Sequence, residues 1–211
     1  MRWGYLSTLW LSLFSFFSVG AIAKNPPTTV KVEIEKYKGR WHELARLPNR
    51  FQKGCISSRA DYAPINNSTQ ISVSNVCKTN STIKQVKGKA YPVKPNDHGK
   101  LKVSFFWPFK GDYWVLYVKE PTKNVPGSAE QDRGDGRYQL AIVGTPDRKY
   151  LWLLSRSKTL TQTDCTTFFE VAKNNGYKQA VLDKLIWSND NSCDRHKRHV
   201  TAVAPSDSTN H

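Results

Sequence analysis

Methionine occurs once, at position 1, and cysteine only four times in 211 residues. No two cysteines form a Cys-x-x-Cys pair, which excludes the common zinc-site classes. Cys55, Cys77, Cys165 and Cys193 are an even set, and in an exported chain they read as two disulfides with no metal. Histidine is also scarce. His42, His98, His196, His199 and His211 stand in no His-Glu-x-x-His pattern, and no Gly-x-Ser-x-Gly elbow occurs. No acid pair or nucleophile constellation emerges, so the expectation is a protein without catalysis or cofactor. Acids number 17 against 32 Lys+Arg, a formal charge of +15. That excludes an acidic solvating protein and favours anionic partners, while leaving the fold open. The basic residues are spread along the chain without a nucleic-acid-binding motif, so no nucleic-acid partner is expected.

Long apolar runs are missing outside the N-terminus. There, Arg2 precedes a serine-diluted apolar stretch over 6–19, followed by Ala21-Ile22-Ala23. This is the pattern of a secretory signal peptide over 1–23; the run is too short for an anchor and lacks a stop-transfer pattern. The mature chain is expected outside the cytoplasm: periplasmic or outer-membrane-associated in a bacterium, secreted otherwise. No cysteine lies near Ala23 to carry a lipid anchor. A domain over 24–190 is expected, then a basic polar tail over 191–211. In that tail, Arg195-His-Lys-Arg-His199 reads as solvated charge rather than a His196/His199 metal site. Asn67-Ser-Thr69 and Asn80-Ser-Thr82 are glycosylation sequons, relevant in a eukaryotic secretory pathway.

What is present is β-structure. Strands are expected over 41–46, 55–63, 69–78, 83–93, 101–107, 113–118, 138–144 and 150–156, with a short one near 185–187. The run Leu101-Lys-Val-Ser-Phe begins as clean apolar/polar alternation, the mark of a half-buried strand. Pro64-Ile-Asn-Asn-Ser68 and Thr145-Pro-Asp-Arg148 supply hairpin turns. Residues 161–175 change to helical period, with Thr163 or Asp164 as the expected cap and Asn174-Asn175-Gly176 as the stop. The expected class is therefore all-β: an eight-stranded antiparallel up-and-down barrel with one C-terminal α-helix packed outside. Such a barrel encloses side chains or one small ligand.

The segments Tyr37-Lys-Gly39-Arg-Trp41-His-Glu43-Leu-Ala-Arg46 and Tyr150-Leu-Trp152-Leu-Leu-Ser155-Arg156 together resemble the lipocalins. With Gly88-Lys-Ala-Tyr91 and Leu101–Phe109 they are similar to the subgroup of bacterial outer-membrane lipocalins and apolipoprotein D. The resemblance spans about 32–188. It implies a barrel floor in which Arg156 lies across Trp41, with Gly39 admitting the chain closely. It also implies a lumen lined by Tyr62, Val103, Phe105, Tyr113, Trp152 and Leu154. Such a lumen would carry a hydrophobic ligand, a lysophospholipid or fatty acid, for storage or membrane maintenance. The alternatives within the family are a lipocalin-fold enzyme or a haem or pigment carrier. Two departures are visible: no cysteine for the subgroup's lipid anchor, and an insertion over 119–137 in place of a tight turn expected at the closed end.

The family topology also bears on the cysteines. It implies Cys55–Cys77 across one hairpin at the open end and Cys165–Cys193 near the closed end. The pairing of apolipoprotein D would give Cys55–Cys193 instead, although its cysteine aligns with Ser57. The mouth segment Phe106-Trp107-Pro-Phe109-Lys110-Gly-Asp-Tyr113-Trp114 reads either as a lip for peripheral contact with an anionic membrane or as ordinary loop packing.

Overall fold

The computed structural model describes residues 26–95, 97–120, 136–188 and Cys193. The segment expected to be a signal peptide, nearly all of the expected tail and most of the expected insertion lie outside these residues. Eight antiparallel strands follow in order: β1 (Gly39–Arg46), β2 (Ser57–Pro64), β3 (Ile71–Lys78), β4 (Ile83–Lys94), β5 (Asp97–Phe106), β6 (Phe109–Lys119), β7 (Leu140–Gly144) and β8 (Leu151–Ser155). Each pairs with the next, and β8 returns to β1, which also pairs with β2. The sheet is therefore closed and has no free edge through its main wall. A two-residue strand β9 (Ile186–Trp187) adds to the outside of β1 through Ala45 and Arg46.

Alternation creates two apolar compartments. Trp41, Ala60, Tyr62, Ile71, Val73, Ala90, Leu101, Val115, Val143 and Leu154 meet inside the barrel. Leu44, Leu116, Leu140, Ile142, Leu151 and Leu153 face outward and are covered by Phe168 and Ala172 of α2 (Gln162–Asn174) and by Tyr177 and Leu182. The barrel wall is thus buried on both faces where the helix lies. This is why β7 is apolar at every position instead of alternating.

The helix occupies the expected segment, but its cap lies two residues before Thr163 and three before Asp164, where the sequence suggested it. Thr161 is the N-cap, and Asp164 completes a reciprocal capping box. Lys119 at the end of β6 reaches Asp164 at 2.9 Å, tying the helix start to the closed end. Three short helical turns go beyond the single helix expected: α1 (Ile34–Tyr37), a 3-10 turn (Arg50–Gln52) and α3 (Gln179–Leu182). They are too brief for the 3.6 period to show in sequence. The disulfides are Cys55–Cys77 and Cys165–Cys193.

Candidate functional site

The closed end is built by the segment leading into β1. Val32 is buried against the inner core, α1 follows, and Gly39 turns into the strand with φ +91. A Cβ at Gly39 would meet only the tip of the Arg137 side chain, at 2.5 Å, so it is the left-handed backbone rather than the space that requires glycine. Trp41 is fully buried, and its indole N–H donates to the Tyr37 carbonyl at 2.7 Å. The Arg156 guanidinium lies 3.8 Å from the Trp41 ring centroid. It donates to the carbonyls of Arg40, Lys38, Tyr138, Lys36 and Tyr37 at 2.6–3.2 Å. Gly39, Trp41 and Arg156 therefore meet at the closed end.

Above the floor, Tyr62, Val103, Phe105, Tyr113, Trp152 and Leu154 all belong to the inner apolar cluster. Their surroundings differ with depth. Tyr62 and Leu154 are buried, while Val103, Phe105, Tyr113 and Trp152 are half-buried and pack against the inner cluster. At the inner end the Tyr113 hydroxyl meets those of Tyr37 at 2.7 Å and Tyr62 at 2.9 Å. Burial holds all three phenols above their ordinary range, so they remain protonated at physiological pH.

Toward the mouth lies a polar group that alternation alone did not reveal. Arg46 is 4% exposed, and its guanidinium donates to Glu43 at 2.9 Å and to the Cys55 carbonyl at 2.8 Å. Gln52 reaches in from the β1–β2 loop, donating to Glu43 and accepting from the Trp152 indole at 3.0 Å. Burial pushes the Glu43 carboxyl above its usual range, opposed by Arg46 and Gln52. A sequence signal exists for Glu43, which shares parity with Trp41. Arg46 has the wrong parity. A bulge between Glu43 and Ala45 turns it inward, opposite Trp152. Asn75 shares the inner face with Val73 and pairs with Ala60, and its Oδ1 is buried without a hydrogen-bond partner.

The rim of the open end is apolar and basic. Phe51, Ile83, Phe106, Trp107 and Phe109 are each at least 70% exposed there, with Val86 beside them. Loop packing does not account for the mouth segment: Trp107 is 85% exposed. Arg50, Lys53, Lys84, Lys87 and Lys110 stand among these side chains. A separate groove of about 390 Å³ runs along the outer wall between His42, Arg59, Val76 and Lys158; it is not the lumen. Among the described residues no His/Cys/Asp/Glu group is suited to hold a metal. His98 lies in β5 and His42 on the outer face of β1, whereas His196, His199 and His211 lie outside the described residues.

The Lipocalin-like domain family model matches residues 32–189. The chain is a lipocalin. Temperature-induced lipocalin-1 of Arabidopsis thaliana is 35% identical over 162 residues, covering 72% of this lipocalin and 78% of the plant protein. The outer membrane lipoprotein Blc of Vibrio cholerae is 37% identical over 147 residues, covering 69% and 77% respectively. Among solved structures, insecticyanin from Manduca sexta superposes with a TM-score of 0.55 at 21% identity, covering 78% of this lipocalin and 85% of insecticyanin. That likeness bears on the fold.

Proposed function

We propose that this lipocalin binds a lipid-class ligand in its lumen and carries it outside the cytoplasm without chemical change, the ligand being a fatty acid or lysophospholipid. The observation that carries the reading is that Val103, Phe105, Tyr113 and Trp152 stay half-buried on the inner apolar cluster of a closed barrel, above a densely filled floor. Burying an alkyl chain against such a wall is favourable by roughly 25 cal/mol per Å², before the costs of association. Two disulfides accord with an oxidising compartment. The exposed aromatic and basic rim supports loading at an anionic membrane surface, where indoles and lysines both favour the headgroup region.

Mass spectrometry of lipids extracted from gently purified protein tests the reading, together with titration of the delipidated protein followed by tryptophan fluorescence. Trp152→Ala removes a large part of the wall and the anchor for Gln52, and should weaken lipid binding by about 2 kcal/mol, roughly thirtyfold. Failure of fatty acids and lysolipids alike to bind would sink the proposal.

A further inference from the structure

The three phenols at the inner end of the lumen do not balance. Tyr37, Tyr62 and Tyr113 bring three hydroxyl protons, and Tyr113 shares one hydrogen bond with each of the other two. A closed ring would need a bond between Tyr37 and Tyr62 as well, and the described residues show none. Whichever way the two bonds run, one O–H has no protein acceptor among the described residues. A buried donor left unmade is costly, about 1–3 kcal/mol. Tyr113 is the half-buried member of the three, and the inward-facing Val115 and Leu101 flank it, so its ring stands on the inner face of the barrel wall.

The charge around this donor is as constrained as its geometry. Arg46 is the only buried cation among the described residues, and it is already engaged by Glu43 and two backbone carbonyls. No unengaged buried cation is therefore left to receive a carboxylate deep in the lumen. An ion placed beside the phenols would lose its hydration with no counter-charge to replace it. Arg156 lies below the floor, spent on five carbonyls and the Trp41 face.

Resting on the reading that the lumen carries a ligand, we infer that the Tyr37–Tyr62–Tyr113 cluster is a polar subsite for an uncharged hydrogen-bond acceptor at the inner end of an otherwise apolar ligand. A ketone, aldehyde, ester or ether oxygen fits it. A fatty acid fits as the neutral acid and not as the carboxylate.

The test uses three twelve-carbon ligands, dodecane, 2-dodecanone and dodecanoate, each displacing the neutral fluorophore N-phenyl-1-naphthylamine from the delipidated protein. At about pH 8 the ketone should bind roughly tenfold more tightly than dodecane, the worth of one hydrogen bond to a buried donor. Dodecanoate should bind at least tenfold more weakly than the ketone, and tighten as pH falls through the carboxyl range. The infrared carbonyl stretch of bound 2-dodecanone should move to lower frequency than in hexane, a readout needing no variant. Tyr37→Phe/Tyr62→Phe/Tyr113→Phe keeps the ring shapes; it should retain dodecane binding and lose the ketone preference. Dodecanoate binding as tightly as the ketone at about pH 8, or an unshifted carbonyl stretch, would overturn the inference while leaving lipid carriage standing. Failure of all three ligands and the fluorophore to bind would remove the carriage reading itself.

Discussion

Trp41 and Trp107 carry the same indole at opposite ends of one barrel, and their exposures are 0% and 85%. At the closed end, one guanidinium covers the Trp41 ring and donates to four backbone carbonyls where α1 turns into β1 and to the Tyr138 carbonyl ahead of β7. At the open end, β5 turns back after Phe106, and the aromatic side chains of that turn meet no covering element. The difference teaches that burial here follows from what crosses the end of the barrel. The segment from Val30 to Tyr37 crosses the floor, with the Val30 N–H donating to the Val115 carbonyl at 3.0 Å. The mouth is crossed only partly, by the loop that Gln52 latches to Glu43 and Trp152. The closed end is therefore braced by side-chain and backbone contacts, while the open end keeps its aromatic side chains exposed among the described residues.

The sharpest contrast should come from removing the two ends separately. Arg156→Ala is expected to cost about 3–4 kcal/mol in urea denaturation, because it uncovers Trp41 and strips several carbonyls of their donor. Trp107→Ala should change the same measurement by less than about 0.5 kcal/mol. Equal losses from the two substitutions would erase the distinction drawn between the ends.

Next in size is the mouth's covalent staple. Cys55→Ser/Cys77→Ser opens a loop whose ends are 22 residues apart in sequence, and should destabilise by about 3 kcal/mol through the unfolded chain's regained freedom. Chemical denaturation of the variant checks this, and the floor contacts of Arg156 should survive in its near-ultraviolet spectrum.

Smaller in energy but opposite in kind is the rim. Phe106→Ser/Trp107→Ser/Phe109→Ser should lower affinity for phosphatidylglycerol-containing vesicles at least about tenfold while leaving the melting temperature unchanged. Vesicle co-sedimentation reads the first and calorimetry the second. Undiminished vesicle binding would mean that the rim is not what meets a membrane.

The smallest expected effect is on pH dependence, and its sign differs between two carboxyls. Burial alone would raise Asp164, but hydrogen bonds from Lys119 and Thr161 hold it below its ordinary value. Its contribution is therefore present above the ordinary aspartate range and is lost as pH falls through the folded-state value. Glu43 is held above its ordinary value by burial, so the folded protein binds its proton more readily than the unfolded chain. Its contribution rises as pH falls from neutral toward the ordinary glutamate range. Denaturation midpoints across about pH 3 to 7 should show Asp164→Asn flattening the acid loss and Glu43→Gln removing the gain.

Parity made much of the site readable in advance. Trp152, Leu154 and Arg156 share one face by simple alternation, and so do Val103 and Phe105. The inner position of Arg46 was not readable, because a one-residue bulge reverses parity after Glu43 and nothing in Glu43-Leu-Ala-Arg46 marks it. Thr161 caps the helix where the sequence suggests Thr163 or Asp164, since several neighbouring residues carry suitable oxygens and only the backbone path chooses among them. The phenol cluster was also hidden. Tyr62 and Tyr113 were expected in the lumen, but Tyr37 enters it from α1, a turn too short to leave a period.

The sequence by itself determined the barrel class and its outer helix, which depend on period and turn chemistry, both local; the pairing of Trp41 with Arg156 and the lining of the lumen were implied by the family resemblance rather than by any local pattern. Only the tertiary structure decided that three hydroxyls from α1, β2 and β6 meet with one proton to spare, and that Arg46 is already engaged by Glu43. It also decided that the rim aromatics stay uncovered. Hydrogen-bond balance and solvent exposure are properties of groups brought together from distant parts of the chain, and no local pattern encodes them.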